Sequence, residues 1–225
     1  MANDQEQARA FIDQRLIDLF APEDEALRAA REATQANDMP AIEISPLQGR
    51  LLQVLARLCN ARSILEIGAL AGYSGIWLAR ALPADGRFIS LEVSEKHAQV
   101  ARASLARAGI AAHTEVRVGP GAELLPALVA EAPFDLIFID ADKPGYLTYL
   151  DWALKLARPG SVIVADNCIR SGPPLAENYA AGDDTVRTVG EYDRRVASDP
   201  RLLSVALPID EGGMDGFAIS VVLGS

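Results

Sequence analysis

The stretch Ile64–Ser74, ILEIGALAGYS, begins with a short apolar run that contains one acid, Glu66. Gly68 and Gly72 follow at once, and an apolar helical pattern resumes at Ile76. This order predicts a buried strand, a tight glycine turn and the start of a helix. In open α/β sheets such a turn lies at the carboxyl end of a strand, where ligands bind. The helix start also offers unpaired N–H groups to a ligand's polar atoms. The stretch therefore predicts a ligand site.

Two familiar motifs come close to this turn without matching it. The dinucleotide fingerprint G-x-G-x-x-G needs a glycine at the position that Leu70 occupies. The nucleophile elbow G-x-S-x-G fails at Ile76. A phosphate cradle is disfavoured by the acid Glu66, whereas a cofactor with cationic groups is favoured by it. A plain structural glycine turn is the alternative interpretation.

Outside this stretch, apolar strands alternate with amphipathic helices. We predict strands over 64–67, 87–92, 114–118, 134–139, 161–165, 202–207 and 217–223. We predict two helices before residue 37, a third that starts at residue 45, and further helices over 94–108, 123–131, 146–158 and 185–198. The run at 134–139 is a nearly continuous apolar run, as in a central parallel strand that is buried on both faces. The pattern predicts one α/β domain over 1–225, doubly wound, with a mostly parallel sheet of seven strands and helices on both faces. Residues 1–37 form its N-terminal helices, and 171–185 form an active-site or interface loop.

Two helices near the N-terminus carry apolar positions at helical spacing. The first helix has a stripe formed by Ile12, Leu16, Leu19 and Phe20. The helix that starts at Ser45 has the sequence of a capping box, with a proline in its first turn. We predict that its core face consists of Leu47, Leu51, Val54, Leu55 and Leu58.

Composition limits the possible partners and location of the protein. The net charge of the 225 residues is −10, which argues against nucleic acid as a partner because a phosphate backbone attracts a basic face. No apolar run is long enough to span a membrane, and the polar, acidic start does not resemble a signal peptide. Cys59 and Cys168 are not expected to pair. We therefore expect a cytoplasmic protein that binds neither nucleic acid nor membrane.

The motif ILEIGALAGYS resembles the first motif of S-adenosylmethionine-dependent O-methyltransferases of the caffeoyl-CoA and catechol type. The similarity extends to ISPLQG before it and to FDLIFIDADK and IVADN after it, and covers residues 44–167. The resemblance implies a Rossmann-like class I methyltransferase fold with an antiparallel last strand. It also implies methyl transfer to a phenolic small molecule, and a homodimer.

An acid, Glu92, ends the second predicted strand, where a carboxylate can accept both hydroxyls of a ribose. An acid at a strand end in solvent is the alternative. The resemblance assigns the same role to Glu92. It assigns the other cofactor contacts to Ile44, Glu66, Gly68, Ala69, Ser74, Gly121 and Asp140. The family often has a larger residue at Ala69 and an alanine at Gly121, which affects the width of the pocket.

Three oxygen-bearing side chains follow two neighbouring strands of the predicted sheet. Asp140 ends FDLIFID, and Asp166 and Asn167 end VIVADN. Two carboxylates and an amide carbonyl suit a hard cation such as Mg²⁺, with Mn²⁺ or Ca²⁺ as alternatives, and leave positions for two vicinal hydroxyls of a substrate. Turn residues after strands are the alternative interpretation. The resemblance assigns the metal to these three residues.

Lys143 follows Asp140 by three residues, and a neighbouring cation would disfavour its ammonium form, so that it can act as a general base. The resemblance places the catalytic lysine here and substrate contacts at Asp142, Lys143 and Ser171. Arg170 stands where the family often has an aromatic residue. His97 and His113 adjoin no nucleophile, and the histidines are predicted to be structural.

These observations predict a cation-assisted O-methyltransferase that uses S-adenosylmethionine and acts on a vicinal dihydroxyphenyl compound, with Lys143 and Asp140 in the catalytic machinery. Two alternatives stay open. One is a methyltransferase of the same fold with a different acceptor, and the other is a cofactor-binding protein without turnover. A dehydrogenase is disfavoured by Leu70.

Overall fold

A computed structural model of the chain describes residues 2–169, 184–209 and 215–224, without the side chains of residues 2–6 and 185. The helices are α1 (Ala2–Phe20), α2 (Glu25–Ala36), α3 (Pro46–Leu58), α4 (Tyr73–Ala79), α5 (Glu95–Arg107), α6 (Gly121–Leu124), α7 (Tyr146–Leu156) and α8 (Asp184–Ser198). The strands are β1 (Ser63–Ile67), β2 (Arg87–Glu92), β3 (Thr114–Val118), β4 (Phe134–Ile139), β5 (Ala157–Ala165), β6 (Leu202–Pro208) and β7 (Gly216–Val222).

Within the described residues these strands form one seven-stranded sheet in the order β3-β2-β1-β4-β5-β7-β6. Strands β1 to β5 are parallel, whereas β7 pairs antiparallel with both β5 and β6. The predicted fold class, including the antiparallel last strand, is confirmed. The chain order reverses beside β1, so the carboxyl ends of β1 and β4 border the crevice where such sheets bind ligands.

The central strands are buried on both faces. All residues of β1 and β4 are buried, and neighbouring residues of each strand point to opposite sides of the sheet. Ile64 belongs to the apolar cluster on one face, and Leu65 belongs to the cluster on the other. Apolar layers on both faces hold the strand ends in place, and the strand ends carry the candidate site.

The prediction of a helix over 146–158 is wrong at its end. Helix α7 stops at Leu156, and β5 already begins at Ala157, before the Pro159-Gly160 pair. Ala157 pairs with Phe134, and a register shift follows. Pro159-Gly160 therefore lies in an irregular strand segment, with Gly160 at a φ of +87°, instead of in a turn.

The helix predicted over 123–131 is also corrected. Helix α6 ends at Leu124, and the chain continues as a 3₁₀ helix from Leu125 to Glu131. Pro126 lies in the first turn of that 3₁₀ helix and has no backbone N–H to donate, which explains why the α-helical pattern does not continue.

The predicted core face of helix α3 is only partly correct. Leu47, Leu51 and Leu55 are partly buried against the core as predicted. Val54 and Leu58 are exposed, whereas Gln48, Gly49, Leu52 and Ala56 are buried. The physical reason is the close approach of α3 to Trp77, because a Cβ on Gly49 would lie 2.3 Å from the indole Cδ1 atom. The capping box of α3 is present as predicted.

The predicted apolar stripe of α1 lies on the surface. Ile12, Leu16, Leu19 and Phe20 are all exposed, as is Phe11.

None of the described helices is both long enough and apolar enough to cross a membrane.

Candidate active site

The glycine turn after β1 has a backbone that only certain residues adopt. Gly68 has a φ of +103° and Gly72 a φ of +83°, and Leu70 between them also has a positive φ of +47°. A Cβ on Gly68 would lie 1.9 Å from the carbonyl oxygen of Asp140. Gly68 therefore allows the turn after β1 to contact the loop after β4, which brings two parts of the candidate site together.

A cavity of about 940 Å³ opens at the carboxyl ends of β1, β2 and β4. This volume lies within the range of small-molecule sites. The predicted site residues that line it are Ile44, Gly68, Ala69, Ser74, Glu92, Gly121, Asp140, Asp142, Lys143 and Asn167. A smaller cavity of about 370 Å³ is lined by Asp166 and shares Asn167 and Asp215 with the larger one.

The Glu92 carboxylate is held beside the glycine turn. Its Oε2 atom accepts the backbone N–H groups of Ala69 at 3.1 Å and Leu70 at 2.9 Å, and its Oε1 atom accepts that of Ser94 at 2.9 Å. The Nδ1 atom of His97 lies 3.6 Å from Oε1, and His97 lines the large cavity. The sequence analysis did not predict His97 as a site residue. Its position in the first turn of α5, shortly after Glu92, could have indicated that it lies near the cavity.

Glu66 lies behind the cavity wall instead of on it. Its side chain is fully buried, and its two oxygens accept the hydroxyls of Ser74 and Ser90, each at 2.6 Å. Burial raises the pKa of Glu66 to about 8 against the lowering effect of the two hydroxyls. Glu66 was predicted to contact the cofactor, but it does not line the large cavity. It contacts Ser74, which does line the cavity.

Gly121 lies at the edge of the cavity against two large side chains. A Cβ on Gly121 would lie 3.1 Å from both Ile67 Cγ2 and Tyr149 Cε1. The glycine at this position therefore fits the space that these neighbours leave, whereas an alanine would be tight.

The three predicted metal ligands lie at the ends of two adjacent strands. Ile139 of β4 pairs with Ala165 of β5, so that Asp140 and Asp166 leave the sheet side by side. Burial, followed by the charges of Asp140 and Asp215, raises the pKa of Asp166 well above its usual range. Asn167 follows with a φ of +53°. Asp166 is buried beside Asp140, and a divalent cation would offset the repulsion between two like charges, so this donor set fits one.

Within residues 2–169, 184–209 and 215–224, no three His, Cys, Asp or Glu side chains are grouped as a metal site. The predicted set contains two carboxylates and takes its third oxygen from Asn167.

Two further residues contact this set. Gln48 Nε2 lies 3.5 Å from Asp166 Oδ1, and Asn167 Nδ2 donates to Asp215 Oδ2 at 2.7 Å. Sequence patterns did not identify Gln48 or Asp215, because both contacts join residues that are far apart in the chain.

Lys143 is held by two neighbours at the cavity wall. Its Nζ atom lies 3.3 Å from Asp140 Oδ1 and 2.6 Å from the hydroxyl of Tyr146. The Tyr146 hydroxyl also lies 3.0 Å from the carbonyl oxygen of Asp166 and 3.3 Å from that of Ile139. Burial raises the pKa of Tyr146 well above its usual value, so this side chain stays a neutral phenol.

Asp142 lines the cavity, and each of its two oxygens accepts one hydrogen bond from the protein. Oδ2 accepts the backbone N–H of Gly145 at 3.1 Å, and Oδ1 accepts the hydroxyl of Tyr149. The predicted loop at 171–185, with the candidate substrate contact Ser171, lies outside the described residues except for 184 and 185, which belong to α8.

A family model described as O-methyltransferase matches residues 18–216 of the chain. The chain belongs to the O-methyltransferase family. It is therefore a methyltransferase. The alternative of a dehydrogenase is excluded by this membership.

Relatives of this O-methyltransferase match it almost from end to end. It is 54% identical over 214 residues to the catechol O-methyltransferase of Niastella koreensis, with 94% of this chain and 96% of the relative covered. It is 45% identical over 218 residues to the catechol O-methyltransferase of Mycobacterium tuberculosis, with 95% and 94% covered. Its structure resembles that of the O-methyltransferase TomG from Streptomyces achromogenes in complex with SAM, with a TM-score of 0.88, 41% identity and coverage of 95% and 96%.

Proposed function

We propose that this O-methyltransferase transfers the methyl group of S-adenosylmethionine to one hydroxyl of a vicinal dihydroxyphenyl compound, with the help of a divalent cation. The observation that carries the proposal is the meeting of Lys143, Asp140 and Asn167 on one cavity wall, with Asp166 next to them. The names of the two relatives at 54% and 45% identity support a catechol-type acceptor.

The large cavity is proposed to bind S-adenosylmethionine. Glu92 would accept the ribose hydroxyls, since its carboxylate already lies at the carboxyl end of β2 beside the glycine turn. Ser74, backed by the buried Glu66, would bind the amino-acid end together with Gly68, Ala69 and Ile44, while Asp140 closes that side and Gly121 flanks the adenine. The cationic groups of this cofactor suit a wall that contains several carboxylates.

Asp140, Asp166 and Asn167 would hold the cation, Mg²⁺ or alternatively Mn²⁺ or Ca²⁺. When bound, the cation supplies positive charge that lowers the pKa of a coordinated hydroxyl. The smaller cavity on the Asp166 side is proposed to admit the aromatic acceptor, because it meets the larger cavity at Asn167 and Asp215.

Lys143 is proposed to take the proton from the acceptor hydroxyl at its Nζ atom. Its side chain is only 12% exposed and lines the large cavity, so that bulk water has little access to the amine. The remaining contribution of the protein is alignment of the acceptor oxygen with the methyl group, from which enzymes gain much of their rate. Asp142 and Ser171 are proposed substrate contacts.

The test is methyl transfer measured with the purified protein, S-adenosylmethionine and a dihydroxyphenyl acceptor. We expect a monomethyl ether product, loss of turnover after complete chelation of divalent cations, and recovery when Mg²⁺ is restored. The matched control acceptor carries a single hydroxyl on the same ring and should not react. Undiminished turnover after chelation would contradict the role of the cation, and methylation of the control acceptor alone would identify a different acceptor class.

A homodimer is also proposed. The apolar positions of α1 are exposed, with Phe11 at 73% and Phe20 at 62%, and Val54 and Leu58 of α3 are exposed as well. Burial of so many large apolar side chains against a second copy would be favourable. We further propose that residues 1–225 act as one domain, since strands β1 to β7 share one sheet. The enzyme is also proposed to be cytoplasmic, because the free thiols of Cys59 and Cys168 are compatible with the reducing conditions there.

A further inference from the structure

We propose that Tyr146 is a positioning residue that orients the Lys143 amine toward the acceptor and connects it to the backbone of Asp166. This inference rests on the proposed function, in which Lys143 takes the proton. Tyr146 itself does not line the cavity and acts only through Lys143.

The hydrogen bonds of the Tyr146 hydroxyl have one consistent arrangement. The phenol has a single proton, and two carbonyl oxygens lie near it, that of Asp166 at 3.0 Å and that of Ile139 at 3.3 Å. Carbonyl oxygens can only accept, so the phenol proton is directed to them. The phenol oxygen is then an acceptor toward Lys143 Nζ, which lies 2.6 Å away.

This arrangement determines which way the amine of Lys143 points. In the proposed reaction Lys143 takes the proton through a lone pair, and an amine in that form has two N–H donors and one lone pair. One N–H is directed to the Tyr146 hydroxyl, and the other is directed to Asp140 Oδ1 at 3.3 Å. The lone pair is left for the remaining direction, and Lys143 lines the large cavity. A base whose lone pair faces the acceptor is ready for proton transfer without further rearrangement.

Tyr146 is rigid enough for this task. Its side chain is fully buried, and its ring packs edge-to-face against Tyr192 with a centroid distance of 5.5 Å. The Lys143 Nζ atom also lies 4.7 Å from the centre of the Tyr146 ring. The carbonyl of Asp166 belongs to the same residue whose side chain is a proposed cation ligand, so the hydroxyl of Tyr146 couples the position of the base to that of the cation site.

Tyr192 provides a matched control. It is also a fully buried tyrosine, it touches Tyr146, and its hydroxyl has no hydrogen-bond partner in the described part of the chain. Tyr146→Phe and Tyr192→Phe thus remove the same atom from neighbouring buried rings, but only the first removes a contact to Lys143.

The kinetic experiment compares kcat, the acceptor KM and the Kd for S-adenosylmethionine in wild type, Tyr146→Phe and Tyr192→Phe. We expect Tyr146→Phe to lower kcat by roughly 10- to 100-fold, as for a misplaced catalytic group, with little change in KM or Kd. Tyr192→Phe should leave all three constants within about twofold of wild type. An unchanged kcat in Tyr146→Phe, or equal losses in both variants, would overturn the inference.

A double-mutant cycle separates positioning from a general structural role. If Tyr146 acts through Lys143, adding Tyr146→Phe to Lys143→Met should cause no further loss of kcat. A further loss as large as in the wild-type background would reject the inference.

Crystal structures of wild type and Tyr146→Phe provide a test that does not depend on turnover. The Lys143 Nζ atom should leave its place beside Asp140 in the variant, and an unmoved Nζ atom would reject the positioning role. A wild-type protein that methylates no dihydroxy acceptor would instead refute the proposed function, while the crystallographic comparison would still decide the role of Tyr146.

Discussion

Asn167 donates its side-chain N–H to Asp215 Oδ2 at 2.7 Å, which joins the end of β5 to the start of β7. Because Nδ2 is the donor, the carbonyl oxygen of the same amide points away from Asp215. The backbone of Asn167 has a positive φ of +53°. Asp215 therefore orients the amide oxygen that is proposed to bind the cation, in the way that outer neighbours commonly orient metal ligands.

Replacement of Asp215 by Asn should weaken cation binding by roughly 10- to 100-fold, because the amide of Asn167 is no longer held in one orientation. Calorimetric titration with Mg²⁺ or Mn²⁺ measures this directly. Asp142→Asn removes a nearby negative charge without touching Asn167 and is the matched control, for which a much smaller change is expected. Equal weakening in both variants would show that charge alone is responsible.

Replacement of Lys143 by Met should lower kcat by about 10²- to 10⁴-fold, the usual contribution of a general base, and leave the Kd for S-adenosylmethionine nearly unchanged. Steady-state kinetics and calorimetry provide the two quantities. Lys155→Met, at an exposed position on the following helix, is the control and should behave like wild type. Parallel loss of turnover and cofactor affinity in Lys143→Met would remove this residue as the base.

Glu66 should make the stability of the protein depend on pH. Its pKa is about 8 in the folded protein and its ordinary value is 4.5, so the folded state retains a proton that the unfolded chain loses. Stability should therefore fall as pH rises from about 5 to about 8, by up to about 1.4 kcal/mol per pH unit from this group. Urea unfolding at several pH values should show a shallower decline in Glu66→Gln.

The control for Glu66 is Glu123→Gln, which changes an exposed carboxyl on α6. That variant should keep the decline of the wild type. A slope in Glu66→Gln that equals the slope of the wild type would mean that Glu66 is ionised in the folded protein over this range.

Gly68→Ala should destabilise the protein by at least about 3 kcal/mol, because strain from a positive φ adds to a collision with the Asp140 carbonyl. Gly109 is the matched control. It also has a positive φ, of +74°, but a Cβ there would meet nothing within 4 Å. Gly109→Ala should therefore cost only about 1 to 2 kcal/mol. Similar free energies of unfolding for the two variants would show that the turn after β1 relaxes.

Phe11→Glu should shift the proposed dimer toward monomer, because it introduces a charge into the exposed apolar stripe of α1. Multi-angle light scattering at several protein concentrations measures the mass. Gln7→Glu adds the same charge to α1 without removing an apolar group and should leave the mass unchanged. A wild-type protein that is monomeric at working concentrations would refute the dimer.

The strands and the turn after β1 were predictable because their signals are local. A nearly continuous apolar run such as Phe134–Ile139 indicates a central strand that is buried on both faces, and Gly68 and Gly72 mark a tight turn through their own backbone freedom. The end of α7 was not predictable in this way. Pairing of Ala157 with Phe134 overrides the turn signal of Pro159-Gly160, and that pairing joins distant parts of the chain.

The sequence by itself determined the order of strands and helices and the chemical kinds of side chain at the strand ends, since these follow from local periodicity and residue type. Only the tertiary structure decided which atoms meet. Ser74 donates a hydrogen bond to Glu66, the amine of Lys143 donates one to the hydroxyl of Tyr146, and Asn167 donates one to Asp215. The physical reason is the short range over which such contacts act. A hydrogen bond acts over about 3 Å, and sheet register and helix packing decide which distant residues come that close.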